Sequence, residues 1–84
     1  MTYEVERSVD ALLRYCYSCH FEHAGEKYFA DLRYTYDCGN ECMIFREGEW
    51  GELYCRRCIP TTEEQLIECI EEFVAGLEAE EESK

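Results

Sequence analysis

The chain has 84 residues, seven of them cysteine, and carries a formal net charge of -12 from twenty acidic and eight basic side chains. That length allows one domain with a small core, which a metal or a covalent cross-link commonly supplements. The charge argues against direct binding to nucleic acid or anionic lipid, since both work through basic patches, and it points instead to a protein partner with a basic surface. An odd cysteine count disfavours a fully paired disulfide framework. The acidic, mixed start is unlike a secretory signal, and no apolar run approaches membrane-spanning length, so a cytoplasmic setting, the protein's own cell or an infected host cell, is the expectation. In that compartment cysteine pairs more often mean metal than disulfide.

Residues 2 to 15 place Val5, Val9, Leu12, Leu13 and Cys16 at helical spacing, which predicts a short amphipathic helix; Ser8 could instead cap a shorter one from Val9. Cys16-Tyr17-Ser18-Cys19 follows, then His20 and His23. From Tyr28 to Tyr36 the residues alternate as a strand does, with Tyr28, Ala30, Leu32, Tyr34 and Tyr36 on one face. Asp37 to Cys42 is turn chemistry around Gly39-Asn40, and Met43 to Arg46 returns as the second strand. Residues 47 to 52 turn again, and Leu53-Tyr54 leads into Cys55-Arg56-Arg57-Cys58. After Pro60 the period changes. Thr61 with Glu64, or Thr62 with Gln65, forms a capping box, and Leu66, Ile67, Ile70, Phe73, Val74 and Leu77 draw one apolar stripe down a helix. Nine acids and one base lie from Thr61 onward, against eleven and seven before it. The expected domain spans residues 1–79, with a disordered acidic tail over 80–84.

Two Cys-x2-Cys pairs can each aim two thiolates at one point, and four thiolates close a tetrahedral structural zinc site with no open position for water. Cys16, Cys19, Cys55 and Cys58 are the candidates. A second zinc could draw on His20, His23, Cys38 and Cys42, although His20 adjoins Cys19 and the spacings are loose. Cys69 lies beside the apolar stripe and reads as a buried, inert thiol.

A knuckle, a hairpin and a second pair just before a helix is the order of treble-clef zinc fingers. Through Cys16-x2-Cys19, Gly25-Glu26-Lys27-Tyr28 and Tyr54-Cys55-x2-Cys58, the chain resembles small phage-type treble-clef zinc-finger proteins over roughly residues 16 to 75. The resemblance implies zinc on Cys16, Cys19, Cys55 and Cys58 and no defined activity. The expected fold is therefore small α+β: a treble-clef-like zinc-binding domain with an N-terminal helix, a β-hairpin and a long acidic C-terminal helix.

No catalytic set stands out. His20-Phe21-Glu22 with Cys55 and Cys58 is superficially like a zinc-deaminase signature, but Tyr54 stands where that signature has proline, and the chain is too short for the supporting sheet. A cross-brace of eight ligands fits only by forcing His20 and His23 into service. The expected function is non-enzymatic protein–protein interaction. Glu63, Glu64, Glu68, Glu71, Glu72 and Glu78 would carry the electrostatics, with Trp50 as an aromatic anchor beside Tyr34, Tyr36 and Phe45. One alternative is a phage-type inhibitor whose carboxylates mimic nucleic acid to block a host nucleic-acid-binding protein. Another is a thiol-disulfide redox protein built on a Cys-x2-Cys pair.

Overall fold

Asp10 decides how the chain begins. In the computed structural model, which describes residues 3–35, 39–58 and 61–82, its carboxylate accepts hydrogen bonds from the backbone N–H groups of Leu12 (2.8 Å) and Arg14 (2.9 Å). Leu13 adopts a φ of 62°, and the Asp10 N–H reaches the Arg14 carbonyl at 2.9 Å. This side-chain-closed turn joins strand β1 (Val5–Val9) to strand β2 (Tyr15–His23). The two pair antiparallel, with Val5 opposite Cys19 and Val9 opposite Tyr15.

The helix expected over residues 2 to 15 is therefore absent. Its spacing suits a helical stripe, but a turn-forming aspartate sits in the middle and β-branched and aromatic residues lie on both sides. Leu12 and Leu13 end at the hairpin tip, 70% and 84% exposed, instead of in the core. Cys16 and Cys19 lie inside a strand, not in a knuckle. The treble-clef-like zinc-binding arrangement is corrected to a five-stranded antiparallel sheet covered by one helix.

Ala24 and Gly25 both take positive φ, 51° and 81°, as a two-residue hairpin turn of type I′ requires. They connect β2 to β3 (Glu26–Thr35), with His23 opposite Glu26. β4 (Gly39–Arg46) pairs with β3, and a turn at residues 47–53 leads to the short β5 (Tyr54–Arg57) on the far edge. Sheet order equals chain order, so every connection joins neighbours. The expected strands from Tyr28 and from Met43 are present, each longer than its alternation alone suggested. Tyr36, Asp37 and Cys38 lie outside the described residues.

Helix α1 (Glu63–Glu82) packs on one face of the sheet. Thr62 caps it, its Oγ1 accepting the Gln65 N–H at 3.2 Å, and Glu63 and Glu64 meet the positive end of its dipole. The helix continues through Glu82, three residues into the acidic run at the end of the chain. Leu66, Cys69, Ile70 and Phe73 are buried against Cys19, Phe21, Tyr28, Ala30, Leu32, Cys42 and Ile44. Phe73 is the hub of the aromatic contacts: its ring lies 5.3 Å from Tyr28, 6.0 Å from Tyr54 and 6.3 Å from Phe21, always edge-on. No helix among the described residues is long and apolar enough to cross a membrane.

One residue of α1 is unexplained by this packing. Gly76 sits in the helix interior without positive φ, and a Cβ placed there would meet nothing within 4 Å. Glycine in a helix interior is less favourable than alanine by about 1 kcal/mol. Gly76→Ala is accordingly expected to raise the free energy of unfolding by about 1 kcal/mol, seen as a higher urea midpoint; a lower midpoint would show that Gly76 serves the fold.

Candidate functional site

The sheet keeps the predicted zinc ligands apart. Cys16 and Cys19 belong to β2 and Cys55 to β5, with β3 and β4 between them. Three strand spacings make a gap of roughly 14 Å, whereas thiolates on one zinc all lie about 2.3 Å from it. Residues three apart on a strand also face opposite ways, so Cys16 and Cys19 point to different sides of β2. Both are buried, and Cys19 belongs to the core beneath α1. Burial pushes its thiol above the usual range, with the charges of Glu4 and Glu6 adding to the effect. Cys55 is exposed and hydrogen-bonds the carboxylate of Glu41.

The second predicted set is dispersed as well. His20 lies on the sheet face away from the helix, its Nδ1 2.5 Å from Glu47 and its ring 4.7 Å from Phe29. His23 projects to the other face, with Nε2 4.0 Å from the Glu81 carboxylate. Cys42 is in the core and Cys38 lies outside the described residues. Among the described residues no group of three or more His, Cys, Asp or Glu side chains is arranged to hold a metal ion. Four cysteines spread in this way do not fit a shared zinc. A strong chelator is therefore expected to leave the thermal unfolding midpoint unchanged, in the wild type and in Cys16→Ser alike; a chelator-induced loss of structure would show that the thiols come together around a metal.

Three cysteines do come together, one from each predicted set and Cys69. Cys58, just beyond β5, has its Sγ 3.3 Å from that of Cys69 on α1, and Cys42 of β4 shares their buried cluster from the sheet side. All three are essentially inaccessible. The neighbouring thiols of Cys42 and then Cys58, with Tyr54 and the Arg56 charge nearby, draw the Cys69 pKa down to about 6 against the effect of burial. Burial, then the bond to Cys69, pushes Cys58 from 9.0 up to about 12, and Cys42 is raised for the same reasons in the opposite order. Cys69 is thus buried, as its sequence position suggests, but far from partnerless.

The linkage has a definite sign. Thiols of the unfolded chain ionise near 9.0 while folded Cys58 keeps its proton until about 12. The stabilisation from that shift is complete below pH 9 and is lost as pH rises towards 12. A urea midpoint that falls above pH 9, less steeply in Cys58→Ala, is the expected result.

The acidic residues occupy two distinct environments. Glu68 and Glu72, one turn apart, both bond Arg56 at the sheet edge, at 3.1 and 2.8 Å. The Glu68 bond, and after it the Tyr54 hydroxyl, raises the Arg56 pKa further. Glu64, Glu71 and Glu78 recur every seven residues on another face, are exposed, and have no ion pair among the described residues. Glu63 is also exposed at the first turn. Trp50 is fully exposed in the β4–β5 turn, Phe45 is half-buried on the uncovered sheet face, and Tyr34 lies under the Arg14 guanidinium at 3.6 Å. No local pattern marks Arg56 as a clasp, because that role depends on a helix more than ten residues away. Compared with protein-family models, curated proteins and solved structures, the chain matches none.

Proposed function

We propose that this protein works without catalysis, as an acidic ligand for a basic surface on another protein. The observation that carries the reading is the row Glu64, Glu71 and Glu78, three exposed carboxylates without basic partners among the described residues, on a helix with nine glutamates and no Lys or Arg. Seven residues advance about 10.5 Å along a helix, so the row presents charge along most of the length of α1. Two features favour recognition over mere solubility. Arg56, which pairs with Glu68 and Glu72, neutralises a different face. Glu78, Glu80 and Glu81 stand near the negative end of the helix dipole, where acids weaken the helix; a solubilising charge could be placed anywhere.

The test uses the full chain and a fluorescent lysine-rich peptide. Affinity is expected to fall with added salt. Replacing Glu64, Glu71 and Glu78 by Gln should weaken binding about tenfold at low salt, taking each exposed pair at about 0.5 kcal/mol. Replacing Glu68 and Glu72, already engaged by Arg56, should matter less. Binding indifferent to salt and to the first set would overturn the reading. Nucleic-acid mimicry is its sharper form, and it requires in addition that DNA or RNA compete for the same basic protein.

A further inference from the structure

The buried thiols have no part in the recognition of a basic surface, and two of them are placed for chemistry with each other. Cys58 and Cys69 have their Sγ atoms 3.3 Å apart. A disulfide bond measures about 2.05 Å, so the sulfurs need to close by roughly 1.2 Å to bond. Both are thiols, buried to 1% and 0% exposure. Their surroundings hold them together independently of the sulfur contact. Arg56, two residues before Cys58, pairs at 3.1 Å with Glu68, the neighbour of Cys69, and at 2.8 Å with Glu72, which ties the end of β5 to the turn of α1 that carries Cys69. The partner that spacing suggests for Cys58 is placed otherwise: Cys55 opposes Met43 on the uncovered sheet face, is exposed and bonds Glu41.

We propose that Cys58 and Cys69 are a redox modification site, joined by hydrogen peroxide in a reversible disulfide that clasps α1 to the sheet edge. Peroxide first converts the Cys69 thiol to a sulfenic acid with release of water, and the Cys58 thiol then displaces a second water as the S–S bond forms. Each sulfur gives up one electron and each peroxide oxygen takes one, so two thiols and one hydrogen peroxide yield one disulfide and two waters. Cys69 takes the first step because the Cys42 and Cys58 thiols favour its ionised form, and the thiolate is the reactive species. Cys42 is fixed within β4 between two paired strands and stays a thiol. Hydrogen peroxide is a small molecule, and its way in is release of β5, an edge strand of four residues paired with β4 alone; short edge elements open far more often than a whole domain unfolds. The bond closes a covalent ring over residues 58–69, the connection from β5 into α1. Until a thiol reduces it, it makes covalent the joint that the Arg56 ion pairs hold weakly.

The test treats the full chain with a small molar excess of hydrogen peroxide, blocks the remaining thiols and cleaves after glutamate, which puts Cys58 and Cys69 on separate fragments. Mass spectrometry is expected to find the two fragments linked, and dithiothreitol to release them. The oxidised chain should unfold about 10 °C above the reduced one. Cys42→Ala should keep the link, and Cys55→Ser, which removes the exposed thiol, should leave both the link and the shift in place. Because the link is read in the wild-type chain, a variant that folds poorly does not decide the outcome. Thiols that survive peroxide unaltered, a link from Cys69 to Cys42, or sulfinic acid on Cys69 beside an unreacted Cys58 would overturn the site. A link that forms only in urea would do the same, since the fold would then have no part in placing the sulfurs. An oxidised chain no more stable than the reduced one would overturn the clasp.

Discussion

Everything in this fold depends on one helix covering one face of a five-stranded sheet. The apolar stripe of α1 is the only large apolar surface offered to β2, β3 and β4 among the described residues, and Phe73 anchors it by meeting three aromatic rings of the sheet edge-on. Edge-on pairs add about 0.5–1.5 kcal/mol each beyond area burial, which matters in a core this small. Among the described residues the opposite face has no second layer, and Phe29, Met43 and Phe45 remain half-buried there.

Charge is arranged around that packing. Arg56, on the edge strand, reaches up to Glu68 and Glu72 and so joins sheet to helix at the rim, where a salt bridge contributes little on its own but fixes orientation. With Arg56 spent on that face, the Glu64, Glu71 and Glu78 row keeps its field. The thiols follow a comparable logic. Cys42, Cys58 and Cys69 fill the seam between sheet and helix as small buried groups, with Cys58 and Cys69 in contact, so cysteine here behaves chiefly as a packing residue.

The helix from Thr62 onward and the strands from Tyr28 and Met43 were legible because each rests on local signals: a cap, a period, an alternation. The N-terminal helix was misread because Val5, Val9, Leu12 and Leu13 suit a helical stripe, while the decisive feature was the short-range bonding of a single side chain, Asp10, to the backbone ahead of it. The cysteine pairs misled for a different reason. Cys-x2-Cys implies a metal only where the chain bends to converge its thiols, and within extended β2 the same spacing sends Cys16 and Cys19 to opposite faces.

The sequence by itself determined that this is a small, strongly acidic domain with its charge concentrated on one capped amphipathic helix, because net charge and helical period are properties of the chain alone. Only the tertiary structure decided which carboxylates remain unpaired and which thiols meet. Each of those depends on residues far apart in the chain, Arg56 with Glu72 and Cys58 with Cys69, and the pairing of β-strands, which no local pattern specifies, brings them together.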